Sequence, residues 1–370
     1  MTERPRETDP VPEEKAPKGW FARFLASVEW LGNCLPHPVS LFALFALGVV
    51  LISWIAAWAG LSVEDPRAEG EMLTVTNLLT RDGIAWISTN LVTNFTGFVP
   101  LGTVLVALLG VGVAEKSGLI TAVIRALVLK APAKLVTVVV VFAGIVSNTA
   151  SEMGYVVLIP LAMVIFHSLG RHPLAGMACA FAGVSGGYSA NLLIGTVDPL
   201  LAGITQEAAR YVDPAYEVHP AVNWYFMIAS TFMVTFLGWF VTEKIVEPRL
   251  GPYDESLADE TVQAKPELDR VTAREVKGLW AALVSVVVIS MGFVVLAGPG
   301  WLSFANDLPG FGFLRNPDPE ASGAEAFRPM LRSVVTMIFV FFVVPGFVYG
   351  RVVGTMKNDE DIIDAMAEAM

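Results

Sequence analysis

The stretch from Val138 to Asn191 constrains this chain more than any other. It is overwhelmingly apolar, yet small and polar residues interrupt it twice, at Ser147-Asn148-Thr149-Ala150-Ser151-Glu152 and at Gly183-Val184-Ser185-Gly186-Gly187-Tyr188-Ser189-Ala190-Asn191. Such residues release the backbone from helix while supplying hydroxyl, amide and carbonyl oxygens. In hydrocarbon, a freed backbone survives only where it lines a cavity or a ligand site. Two breaks at similar depth predict one shared site. The hydrocarbon setting follows from composition: 54% of residues are hydrophobic and 16% charged, and the mean hydropathy is +0.60, outside the range of a soluble globular domain. The expected class is an all-α integral membrane protein.

Crossing roughly 30 Å of hydrocarbon takes about 20 apolar residues. Spans are predicted near 38–60, 97–114, 223–242, 278–298 and 330–350, with Trp20, Trp30, Trp54, Trp58, Trp224, Trp239 and Trp301 near segment ends, where amphipathic rings meet headgroups. Residues 133–168 have no solvated loop at their centre, only the Ser147–Ser151 tip, so they are predicted to form a re-entrant hairpin that returns to the side it entered. Residues 174–207 read as one crossing split into two half-helices. Residues 77–95 and 117–130 read as interfacial or partly inserted helices. Asn94, Thr96, Gly97 and Pro100 mark a third irregularity, which fits a cavity lining or a surface loop equally.

Lys and Arg distribution tests this topology. With the N-terminus cytoplasmic, 18 of the 24 basic residues fall on the inner side, in the tail and in segments 115–134, 167–173, 243–277 and 351–370. The other 6 fall in 61–83, 208–222 and 299–332. That asymmetry matches an inner-membrane protein, and it holds only if 133–168 is a hairpin. The domain reading is a disordered cytoplasmic tail (1–30), a first transmembrane repeat (31–245) with hairpin and broken helix, a cytoplasmic linker (246–277) and the start of a second repeat (278–370). The formal charge of −11 lies mostly in tail and loops, where solubility explains it, and no nucleic-acid partner is expected. Cys34 and Cys179 lie in different surroundings, and no disulfide is expected.

At the first break, Thr149-Ala150-Ser151-Glu152 has capping-box spacing, which starts the second hairpin arm and directs free amides toward the membrane centre, favourable for a carboxylate. Thr149, Ala150 and Ser151 are therefore candidate substrate contacts. The preceding arm ends in unsatisfied carbonyls, which with Ser147 and Asn148 suit a hard monovalent cation such as Na+. At the second break, Gly186 and Gly187 allow close approach of a cation to carbonyls, while Ser189 and Asn191 offer polar groups to a substrate. The plainer reading is that these residues only cap helices or pack them closely. Asp198 before Pro199 has the pattern of an N-cap, but an ionisable residue inside a span is also a candidate proton carrier or partner for a polar substrate group.

Gly183-Val184-Ser185-Gly186-Gly187 matches the G-x-S-x-G nucleophile pattern, so an intramembrane serine protease must be weighed. The chain's histidines, His37, His167, His172 and His219, all fall at predicted membrane edges, away from Ser185. No enzyme is expected, and no cofactor beyond a bound coupling Na+.

These motifs carry a family resemblance. Leu31-Gly32-Asn33-Cys34-Leu35-Pro36-His37-Pro38, Ser147 through Gly154, Ala190-Asn191-Leu192-Leu193-Ile194-Gly195-Thr196-Val197-Asp198-Pro199 and Asp361-Ile362-Ile363-Asp364-Ala365-Met366 resemble the AbgT family, the p-aminobenzoyl-glutamate transporters. The Ser147-Asn148-Thr149 tip is also similar to the hairpin tips of sodium-coupled dicarboxylate transporters. The resemblance implies a homodimer, inverted repeats each with a hairpin and a broken helix, and H+- or Na+-coupled transport of p-aminobenzoyl-glutamate or export of sulfonamide antimetabolites. It places Asp198 on the substrate or proton path and the first tip at a Na+ site. Family members continue past the position of Met370, so the second repeat is expected to be incomplete here. A passive channel is the alternative outside the enzymes.

Overall fold

The computed structural model describes residues 20–68, 70–98, 100–150, 154–254, 271–298, 308, 310–318, 320–323 and 325–370. It divides into two compact units, 1–94 and 95–370. In the first, helices α1 (Trp20–Asn33) and α2 (Pro38–Trp58) are followed by an antiparallel hairpin of β1 (Ser62–Glu64) and β2 (Met72–Thr74), with Ser62 opposite Thr74, and then by α3 (Arg81–Thr96). Helix α1 corrects the expectation of a disordered tail to residue 30, since helix begins at Trp20, where the sequence turns aromatic and apolar at helical spacing. Residues 1–19 lie outside the described ones. Helix α2 has no polar face, and its side chains are bare, Phe42 being 70% exposed. Only a lipid surround makes that stable.

The second unit carries the two breaks. Its helices are α4 (Pro100–Lys116), α5 (Leu119–Leu129), α6 (Val136–Ser147), α7 (Ile159–Ser168), α8 (Pro173–Gly186), α9 (Val197–Arg210), α10 (Trp224–Val241), α11 (Ala273–Ala297), α12 (Arg328–Arg332), α13 (Val334–Val353) and α14 (Asp359–Glu368). Among the described residues, four helices are long and apolar enough to cross a membrane: α2, α10 with its extension, α11 and α13. On α11, Val288 is 62% exposed. The chain is thus a multi-pass membrane protein, as expected.

Helices α6 and α8 run parallel in one register. Thr137 meets Cys179, Val141 meets Gly183, Ile145 meets Gly187 and Thr149 meets Asn191, each pair 42 residues apart. Glycine sets the spacing: a Cβ on Gly144 would fall 2.8 Å from Gly183 C and Val184 N, and one on Gly183 would fall 2.9 Å from Val141 O. Helix α7 is antiparallel to α8, with Gly176 against Ala162 and Phe166 near one end and Tyr155 beside Ser185 and Phe181 near the other. Helices α6 and α7 are therefore antiparallel to each other, and α6 ends in a 3-10 turn at Asn148–Ala150. The second arm opens with a π turn, Gly154–Leu158, because Pro160 has no N–H to continue an α ladder.

The rest of the unit packs around this pair. Helix α13 lies against α4 and α11, with Gly346 closing on Ala114 and Gly110 on Phe339. Ion pairs then sort the loops into two ends. Lys116 meets Glu368 at 2.6 Å, Arg125 meets Glu275 at 3.0 Å, and Arg171 meets Glu247 at 2.7 Å and Glu243 at 3.7 Å. At the other end Arg328 and Arg332 meet Glu217. Each pair joins segments that the charge count assigned to one side, and among the described residues none crosses.

Several boundaries move. Unwinding of the second break starts at Gly187, not Gly183, because Gly183 is used for close contact with α6. The linker is shorter than 246–277. Helix α10 runs on through a π turn to Leu250, and α11 starts at Ala273 under a capping box of Thr272 and Glu275. Residues 255–270 of the linker lie outside the described ones, as does Trp301.

Candidate functional site

The parallel register has a direct consequence: both helix ends arrive side by side. Thr149 Oγ1 donates to Asn191 Oδ1 at 2.9 Å, and Asn148 Nδ2 donates to Val184 O at 2.9 Å as well as to Gly144 O and Ile145 O. These three polar side chains are buried. Gly195 closes the set, since its missing Cβ would sit 3.3 Å from Thr149 Cα. The two breaks thus meet, joined by side-chain hydrogen bonds between buried polar groups.

Local bonding decides which atoms remain for a ligand. With its nitrogen spent on three carbonyls, Asn148 has its amide oxygen left to offer. Asn191 is the converse: its oxygen accepts from Thr149, from Leu192 N at 2.9 Å and from Leu193 N, which leaves its amide N–H groups as donors. Asp198 is a first-turn residue of α9 and not the N-cap, a position taken by Thr196; its Oδ2 accepts from Gly195 N at 2.6 Å. Helix can start that early because Pro199, in the first turn, has no N–H that needs an acceptor. The carboxylate therefore sits at the positive end of α9.

Asn148, Ser189, Asn191 and Asp198 all line one cavity of about 1250 Å³. From them it extends past Leu201, Thr205 and Ala209 to the outer end, where Tyr216, Glu217, His219 and Met330 form its walls, while Trp224 lines it beside the second break, its Nε1 donating to Leu192 O at 2.9 Å. Sequence reasoning missed the whole outer half, because 208–222 reads as an ordinary polar loop. Its one signal was Glu217-Val218-His219 beside an aromatic run at 224–226. At that end Glu217 accepts hydrogen bonds from Arg328 and Arg332, which hold its carboxyl below the usual glutamate range.

Other nominated residues fall elsewhere. Ser147 Oγ donates to Gly144 O at 2.6 Å and packs on Gly154, away from the cavity wall. Gly187 is pressed against Ile145, while Gly186 meets only Val234. Thr149 donates to Asn191; Ser151 and Glu152, the rest of that expected capping box, lie outside the described residues, and of Ala150 the backbone alone is described, in a 3-10 turn. Ser185 Oγ has Tyr155 Oη as its partner at 3.0 Å, and His167, His172 and His219 are engaged with Tyr253, Leu174 N and Leu331 O. Among the described residues, that arrangement gives Ser185 no histidine base.

A hairpin tip beside a helix break, over a cavity in a multi-pass protein, is the setting in which comparison with known proteins gains meaning. The p-aminobenzoyl-glutamate transport protein of Escherichia coli (strain K12) is 34% identical over 343 residues, covering 93% of this chain and 63% of that protein. The structure of MtrF from Neisseria gonorrhoeae, described within a class of antimetabolite efflux pumps, superposes with a TM-score of 0.76 at 52% identity, covering 94% of this chain and 67% of MtrF. The YdaH transporter of Alcanivorax borkumensis gives a TM-score of 0.72 at 39% identity, covering 90% of this chain and 66% of YdaH. These relatives are transporters, not enzymes. This chain spans 63% of the curated relative's length. Residues 23–370 match the family described as "AbgT putative transporter family", and with the shared fold and identity this chain belongs to the AbgT family.

Proposed function

We propose that this chain serves a secondary active transporter for small p-aminobenzoyl-type solutes, either folate catabolites such as p-aminobenzoyl-glutamate or sulfonamide antimetabolites. The observation that carries the reading is the meeting of the two helix breaks, Thr149 on Asn191 at 2.9 Å, at the inner end of the cavity. A solute there would find the donors of Asn191, the hydroxyl of Ser189 and the amides near Thr149 for an acidic or carbonyl group. Asp198, beside them on the same wall, carries a proton or meets the solute's own N–H groups. Of the four residues nominated for Na+, Asn148 keeps an amide oxygen for the cation; Ser147 bonds to Gly144 and Gly187 packs on Ile145, while Gly186 meets only Val234. Coupling by H+ through Asp198 needs no further residue.

Helices α6, α7 and α8 form the part that moves, and the other spans form its support. An inner-membrane location with the N-terminus cytoplasmic is supported by the basic-residue asymmetry, and the same-side ion pairs agree with it. Inverted repeats, a second repeat incomplete at 370 and a homodimer complete the proposed assembly, on the family's pattern. The test is flux of labelled p-aminobenzoyl-glutamate and of a sulfonamide in proteoliposomes under imposed H+ or Na+ gradients. Saturable uptake that follows one gradient, and is lost in Asp198→Asn, is the expected outcome. Flux that only equilibrates and never saturates would mean a passive channel and end the proposal.

A further inference from the structure

At the outer end of the cavity, one lining residue belongs to a charged cluster with no part in the reading above. Glu217 lines the cavity, and on the facing helix α12 Arg328 and Arg332 stand four residues apart and both reach it, Arg328 at 2.9 Å. Arg328 also meets Glu325 at 3.1 Å, whereas Glu217 is the one carboxylate on Arg332 among the described contacts. Guanidinium groups match carboxylates in shape and charge, so two of them converging on one carboxylate form a ready carboxylate site with its occupant supplied by the chain itself.

Two features mark Glu217 as an exchangeable occupant. First, the cluster is wet: Glu217 and Arg328 are each 44% exposed and Arg332 is 60% exposed, so solvent screens the pairs and little is lost when they part. Second, the wall does not depend on them. The 211–223 loop is tied to α12 by His219, whose Nε2 donates to Leu331 O at 2.9 Å; its Nδ1 accepts from Ala221 N at 3.0 Å, which fixes the proton on Nε2. The loop is tied to α9 as well, by Val218 N donating to Gln206 Oε1 at 3.2 Å. Glu217 can therefore swing away while the mouth keeps its shape.

We propose that Arg328 and Arg332 form a capture site for carboxylate-bearing solutes at the cavity mouth, with Glu217 as the built-in competitor that a solute carboxylate displaces. The site selects anionic solutes before they reach the paired helix breaks. Tyr216, beside Glu217 on the cavity lining, offers an aromatic face to the ring of such a solute. This inference rests on the reading of the cavity as a solute path.

The test is calorimetric binding of p-aminobenzoyl-glutamate and of uncharged p-aminobenzamide to the purified protein in detergent. Arg332→Gln, and more so Arg328→Gln/Arg332→Gln, should weaken the anionic probe by roughly tenfold or more and leave the uncharged one unchanged. Arg332→Lys should recover part of the loss, and Glu217→Gln should tighten the anionic probe several-fold. If Glu217→Gln instead weakens both probes as the arginine variants do, the cluster is a structural clasp and the capture site is wrong. Wild-type binding that no arginine variant alters removes the capture site alone. Wild-type protein that binds neither probe removes the solute-path reading with it.

Discussion

The two ends of the cavity are built in opposite ways. At the inner end, α6 and α8 touch backbone to backbone through Gly144, Gly183 and Gly187, and the polar side chains at the breaks are buried and bonded to one another. Away from the cavity, a sequestered ion pair joins α5 to α11, Arg125 and Glu275 at 10% and 16% exposure. At the outer mouth the contacts are wet ion pairs around Glu217, backed by a few hydrogen bonds from a loop. The same kinds of groups are used in both places. Burial makes the first set fixed, and water makes the second set replaceable.

The contrast can be broken most severely at the glycines. Gly183→Leu forces side chain into the backbone of Val141, and it should cost about 3 kcal/mol or more in thermal unfolding, because two helices must separate. Gly186→Ala is its control, since the added Cβ meets only Val234 at 3.7 Å and should be tolerated. Next, Glu275→Ala should destabilise by about 2 kcal/mol through loss of the buried pair and the α11 cap, whereas Glu217→Ala should leave the melting temperature unchanged. Equal shifts in the two variants would erase the distinction drawn here. A smaller effect is expected of Thr149→Val, which removes the link between the breaks at a cost of about 1 kcal/mol and should lower flux more than its stability loss predicts.

The smallest expected effect is on pH. Because the folded-state pKa of Glu217 lies below the ordinary value of 4.5, its pairs contribute above that value and are lost as pH falls through the depressed one. The share of any acid loss that comes from Glu217 should be small, because the group is solvent-screened, and should be absent in Glu217→Gln.

Much of the inner end was legible in the sequence. Apolar runs longer than a membrane is thick gave the spans, and small polar residues inside such runs marked the breaks, because hydrocarbon punishes an unbonded backbone wherever it occurs. The roles of individual residues were less legible. Ser147 and Gly187 have the composition of cation ligands, yet each also holds a helix contact that the sequence does not show; Asp198 has the spacing of an N-cap, yet it bonds back to Gly195 from inside the helix. The outer mouth was not legible at all, since Glu217 and Arg328 lie 111 residues apart.

The sequence by itself determined that this chain lives in a membrane and that its apolar run is interrupted near Asn148 and near Ser189, since these follow from local transfer free energies that every residue carries with it. Tertiary structure alone decided that the two stops coincide, because a parallel register of α6 on α8 is a property of the helix pair and of the glycines that let their backbones touch. It likewise decided which polar atoms are left over for a solute, for a hydrogen bond already made to a neighbour is invisible until the neighbour is in place.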